Sequence, residues 1–229
     1  MRFFQILAIV LSFSGTLLGD EPSVCPPGFE PLIQGDTLAG WKGGSTADPR
    51  SISAEQQAKW DAEVPKHWRI ENGELVNDGQ EPHLVTTQEF GNFELLLEWK
   101  LPANGDSGIY LRGCPQVQLW DPNSEASRKH GAAKGSGGLW NNEKHERFPL
   151  VLADRPTGEW NTMRIRMVGP LVHVELNGQV VVDNLVLENY FDRAIPVFDR
   201  GAIHLQTHGS ETRFRNLFVR EIEAEGKEN

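Results

Sequence analysis

Thiols are scarce. The 229 residues hold two cysteines, Cys25 and Cys114, and no Cys-x-x-Cys or paired Cys/His spacing, so the pattern gives no zinc site. A Cys25–Cys114 bridge and two free thiols both stay open. Methionine (3) and tyrosine (2) are also few. Positive charge is in deficit: 22 Lys and Arg stand against 32 Asp and Glu, a formal net charge of −10. Nucleic acid and anionic membranes need a basic surface, and this chain lacks one. There is no Gly-x-Ser-x-Gly elbow, phosphate-binding glycine loop or His-Glu-x-x-His helix. Beyond residue 19 no run is apolar enough to cross a bilayer.

What is present begins with a leader. Arg2 precedes a largely apolar run over residues 3 to 18, and small residues near Gly19 suit cleavage. Residues 1 to 19 read as a signal peptide rather than a membrane anchor, and the product is expected to be secreted or periplasmic. Residues 20 to 229 are expected to form a single domain. The 23 glycines, 14 prolines and 7 tryptophans favour strands, turns and aromatic platforms.

Ser53 and Gln56 match a capping box, which predicts a short helix ending before Pro65. Asn72-Gly73 and Asn177-Gly178 between alternating segments predict hairpin turns. In NFELLLEWKL, Phe93, Leu95, Leu97 and Trp99 share one face, and Glu94, Leu96, Glu98 and Lys100 the other. About ten such strands and one helix predict an all-β fold, an antiparallel β-sandwich or jelly roll of two sheets. A loop of nearly thirty residues, 122 to 149, holds Trp140, Asn141, Asn142 and Lys144 behind a flexible Gly-Ser-Gly-Gly, and is expected to help form a site.

The stretch GDSGIYLRGCPQVQLWD, residues 105 to 121, alternates as paired strands. Its non-core side would carry Tyr110, Arg112, Gln116, Gln118 and Trp120. A late segment adds His204, Gln206 and His208, and the long strand adds Glu98 and Lys100. Amides, imidazoles and indoles suit sugars, whose hydroxyls take hydrogen bonds and whose C–H faces take aromatic rings. Asp121 has the opposite parity and is expected at a rim. His204 and His208 could hold a divalent metal with a neighbouring carboxylate.

From about residue 28 to 222 the chain resembles the 3-keto-disaccharide hydrolase domain family. The stretches that carry this include FEPLIQGDTLAGWKG, GNFELLLEW, GDSGIYLRGCPQVQLWD, GSGGLWNN, GEWNTMRIRMVG, VELNGQVVVDN and GAIHLQTHGSETRFRNLFVREI, in order. The resemblance implies a bacterial, exported protein with a concanavalin-like jelly-roll fold that cleaves glycosides oxidised at C3. One departure is Gln116, where many members carry a carboxylate in a Tyr-Glu-Val-Gln run. A C3 ketone acidifies the C2 proton, so a base, a donor for the enolate oxygen and an acid for the leaving group suffice. The ordinary pair of glycosidase carboxylates is not required. Glu98 or His208 is the expected base and Asp121 an acid or metal ligand. Arg112, Gln118 and Gln206 would position the sugar, Trp120 or Trp140 would be its platform, and a divalent metal ion is the one cofactor this chemistry admits. The alternatives are a non-catalytic carbohydrate-binding module and a ligand-free surface scaffold. Convergence of Glu98, His208 and Asp121 is the feature that separates an enzyme from these.

Overall fold

Two antiparallel sheets face each other in a jelly-roll sandwich, held apart by one layer of apolar side chains. The structure, a computed structural model, describes residues 24–223; the expected leader lies outside them. In chain order the elements are β1 (Glu30–Pro31), β2 (Trp41–Gly44), α1 (Ala54–His67), β3 (Trp68–Glu71), β4 (Glu74–Asn77), β5 (His83–Thr86) and β6 (Phe93–Lys100). β7 (Asp106–Leu111), β8 (Cys114–Trp120), α2 (Glu125–Arg128), β9 (Asn161–Val168), β10 (Leu171–Leu176), β11 (Gln179–Val186), β12 (His204–Leu205) and β13 (Thr212–Glu221) follow. The larger sheet runs β11-β10-β9-β6-β13-β4-β3, with β1 on β13. The smaller runs β2-β5-β12-β7-β8. Among the described residues no helix is long and apolar enough to cross a membrane.

Period-two alternation sets the packing. Phe93, Leu95, Leu97 and Trp99 of β6 are all buried, together with Met163, Ile165 and Phe214 from its neighbours. Across the gap stand Ile109, Leu111, Val117, Leu119 and Leu205 of the smaller sheet. Both hairpin turns form as expected. Asn72 and Gly73 have φ of 52° and 77°, Asn177 and Gly178 of 51° and 79°, the two positive values that a tight primed turn requires.

Two expectations need correction and one open alternative is settled. Ser53 caps α1 by accepting from the Gln56 N–H, but the helix runs on through Pro65 to His67. Proline falls in the last turn, where only one backbone bond is forfeited, and Trp68 N–H closes the end on Val64 O. Both cysteines are free thiols. Cys25 Sγ lies 3.2 Å from Phe29 O, and Cys114 is buried. The Gly-Ser-Gly-Gly segment is not flexible: residues 135 to 138 are buried, with Gly137 N–H donating to Gln118 O and Gln118 N–H to Gly138 O. Glycine serves here for space, since a Cβ on Gly138 would come within 2.4 Å of Arg147 O.

Gly178 has open space around it, so its φ alone resists a side chain. Gly178→Ala is expected to cost about 1 kcal/mol, read as a lower urea midpoint with an unchanged slope.

Candidate active site

The smaller sheet is covered on both sides. Every residue of β8 is buried, one face by the sandwich core and the other by the 122–149 loop, which doubles back along it. Between that loop and the sheet lies a pocket of about 290 Å³. Its floor is Asp106 and Tyr110 of β7, Gln116, Gln118 and Trp120 of β8, and Gln206 and His208 after β12. Its walls are Thr46, Ser127, His130, Trp140, Asn141 and Tyr190, all from loops or α2.

The floor carries two hydrogen-bonded groups, one around Gln118 and one around Tyr110. Gln116 Nε2 donates to Gln118 Oε1. Gln118 Nε2 donates to Asp106 Oδ1 at 2.7 Å and to the carbonyls of Ser107 and Leu119. His208 Nδ1 lies 3.7 Å from Asp106 Oδ2. Burial raises the Asp106 pKa above its ordinary value, an effect that His208, the Gln118 amide and His130 offset in part. Tyr110 OH pairs with Thr46 Oγ1 at 2.9 Å and accepts from Gln206 Nε2 at 3.2 Å. Burial pushes the phenol up to about 12. Trp120 Nε1–H donates to Gly135 O at 2.7 Å, and its ring meets Trp140 edge-on at 5.2 Å. Arg147 covers the Trp140 ring at 4.3 Å. The pocket therefore joins two indoles, four amides and a carboxylate–imidazole pair.

Of the residues singled out from sequence, Tyr110, Gln116, Gln118, Trp120, Trp140, Asn141, Gln206 and His208 line this pocket. The others do not. Glu98 is on β6 of the larger sheet, facing outward, where Arg215 Nε and Asn216 Nδ2 donate to its carboxylate at 2.7 and 2.9 Å. Strand parity was right, but each sheet has its own outer face. Asp121 ends β8 and turns away. It accepts from Asn104 N–H, Asn123 N–H and Thr157 Oγ1–H, each at 2.9 Å. Burial opposes its ionisation, but these donors hold its pKa below the ordinary value. Arg112 occupies the β7–β8 turn with φ of 53°, so its guanidinium leaves the sheet face and bonds Gly91 O, Phe198 O and Asn92 Oδ1. Asn142 is buried as a brace between Glu146 O, Val186 O and the Glu188 N–H. Lys144 Nζ bonds Arg193 O. His204 lies beneath Tyr110, stacked at 5.3 Å, and does not line the pocket. The expected metal pair is thus split, and among the described residues no three His, Cys, Asp or Glu side chains are grouped to hold a metal ion.

Asp106 carries an unused signal in the sequence: it opens β7 and its parity matches Tyr110. His130, Ser127, Thr46 and Tyr190 carry no local signal, because loop folding alone brings them in.

Fold and pocket together define a jelly-roll sandwich with a polar, tryptophan-walled cleft on its smaller sheet. The model of the family described as the 3-keto-alpha-glucoside-1,2-lyase-like domain matches residues 28–220, and the chain belongs to that family. It is 23% identical over 271 residues to a 3-keto-disaccharide hydrolase of Bacteroides thetaiotaomicron, covering 94% of this chain and 87% of that protein. Two crystal structures of Parabacteroides distasonis proteins, provisionally described as glycosyl hydrolases, share the fold. One has a TM-score of 0.62 at 21% identity, covering 86% of this chain and 94% of its own. The other has 0.58 at 24%, covering 69% and 91%.

Two histidines under the floor set a pH limit. Burial holds His83 at a pKa of about 4 and His204 at about 3, and neither Nδ1 has a partner. Both are neutral when folded, whereas in the unfolded chain they charge below about 6.5. The unfolded state binds the extra protons, so stability falls as pH drops from about 6.5 toward 4. The loss is expected to reach roughly 3 kcal/mol for His83 alone. Urea midpoints between pH 7 and 4.5 measure it, and a flat profile would refute it.

Proposed function

We propose that this protein cleaves glycosides whose sugar carries a ketone at C3, by eliminating the C1 substituent and letting water add afterwards. The observation that carries the reading is the part-buried Asp106 carboxylate facing His208 on the floor of a pocket of sugar size. A non-catalytic binding module needs aromatics and amides but no such titratable pair. The expected convergence of Glu98, His208 and Asp121 does not occur; the Asp106–His208 pair is what favours an enzyme over a binding module.

In this reading His208 takes the proton on C2, acidified by the adjacent ketone, through the ring nitrogen that does not face Asp106. The Asp106 carboxylate stabilises the imidazolium that forms, and Gln118 fixes the carboxylate. Ser127 and His130, which also line the pocket, supply donors for the enolate oxygen. Collapse of the enolate breaks the C1–O bond and forms a C1=C2 double bond. The imidazolium returns its proton to the departing oxygen. Addition of water across that double bond completes hydrolysis, and without it the product is the unsaturated sugar. Trp120 and Trp140 cover the apolar ring face. No step requires a carboxylate at position 116, which accounts for the tolerance of Gln116 there. The leader expected from residues 1 to 19 would carry the enzyme to the periplasm or outside the cell.

Incubation with 3-keto-trehalose and with 3-keto-glucosides, following release of the C1 substituent, tests the reaction. His208→Ala and Asp106→Asn are each expected to lower kcat/KM by about 100-fold or more. The double variant should lose little further, because the two act as one unit. Wild-type activity should fall as pH drops through the raised Asp106 pKa. Binding without release of any substituent would leave only the binding module. By contrast, Glu98→Gln should retain full activity, since its ion pair lies on the far sheet.

A further inference from the structure

Two acceptor oxygens in the pocket lack donors. Gln206 is 8% exposed, spends its Nε2 on Tyr110 OH, and leaves Oε1 buried with no partner. Gln116 is 5% exposed and spends its Nε2 on Gln118, so its Oε1 is the free end of the amide chain. The amide orientation is forced from the other end. Gln118 Nε2 faces three acceptors, the Asp106 carboxylate and two carbonyls, so only its oxygen can face Gln116. Both free oxygens converge on one spot. A Cβ built on Gly108 would lie 3.0 Å from Gln116 Oε1 and 3.0 Å from Gln206 Oε1. Glycine on β7 keeps that space open, and the φ there is not one that demands it.

Gln206 Oε1 is a buried acceptor without a donor, which is costly, and with Gln116 Oε1 beside it the arrangement calls for a ligand that brings donors. We propose that Gln116 Oε1 and Gln206 Oε1 form an acceptor pair above Gly108 that holds a pyranose through two of its hydroxyls, on the ring edge bearing C4 and C6. This rests on the proposed site and specifies how it reads its sugar. Gly108 lies two residues along β7 from Asp106, about 7 Å. A pyranose whose C2 sits at the Asp106–His208 pair reaches the acceptor pair with its remote edge. The pair also repels a carbonyl, because two acceptors cannot share a proton that neither has. The C3 ketone is thereby turned toward the Ser127 and His130 wall, and the specificity of the site is for hydroxyl donors at C4 and C6.

The test reads binding and needs no ketone. Tryptophan fluorescence, through Trp120 and Trp140, follows titration with trehalose and with its 4,4′-dideoxy and 6,6′-dideoxy forms. Wild type should bind trehalose about tenfold more tightly than either analogue. Gln206→Leu, in which Tyr110 keeps its bond to Thr46, should bind trehalose and at least one analogue alike. Gly108→Ala should weaken trehalose by about tenfold while leaving the thermal midpoint within a few degrees. Equal binding of all three sugars by wild type overturns the proposal. So does a preference for trehalose over both analogues that survives undiminished in Gln206→Leu, or failure of wild type to bind trehalose at all. Hydroxyl discrimination without cleavage of any 3-keto substrate would sink the reaction and leave the acceptor pair standing. Cleavage without discrimination would do the reverse.

Discussion

Covering β8 on both faces is the constraint from which the site follows. A strand in such a position must hide every backbone and side-chain group from bulk water, and unmet polar groups there are costly. The chain answers with Gln118. Its backbone N–H and C=O pair with Gly138 and Gly137, and its amide gathers Asp106, Ser107, Leu119 and Gln116. A single residue thus fastens the loop to the sheet, aligns the carboxylate and orients a second amide. The sandwich core supplies the rigid backing. Leu119 and Val117 are wholly buried on the opposite face, so β8 cannot shift without opening the core.

The same constraint explains the odd composition of the stretch from 105 to 121. An outer face open to water would tolerate Lys, Glu and Thr. A covered face with a cleft in it needs groups that satisfy one another and still leave atoms free for a ligand. Amides do this well, carrying donors and an acceptor on one flat group. An aspartate among them becomes harder to ionise by burial, and carboxylates perturbed in this way mark sites of proton chemistry.

Alternation made individual faces legible from sequence. β6 buried the four residues expected of it, and both Asn-Gly turns took the positive φ values expected of them. Which sheet each strand joins was not legible, because alternation is the same in either. Glu98 and Gln118 are therefore equally polar on paper but lie on opposite outer faces of the sandwich. Arg112 shows a second limit: parity holds only while the strand does, and a turn residue with positive φ escapes it. The long loop was suspected of building a site, but its glycines were read as freedom when they were clearance.

One brace at the pocket mouth bears on how a ligand enters. Buried Glu188 accepts the backbone N–H groups of Glu143, Lys144 and His145 and pairs with Arg193 at 3.2 Å, while Arg193 also reaches Asn141 O. Burial opposes the charge, but these partners hold its pKa below the ordinary value. The clamp joins the segment carrying Asn141 to the one carrying Tyr190, so both of these pocket walls are set before any ligand arrives. A mouth built in this way behaves as a keyhole rather than a hinged door. Encounter then carries little ordering cost, and the rate of capture depends on shedding water from the cleft rather than on waiting for a lid to move.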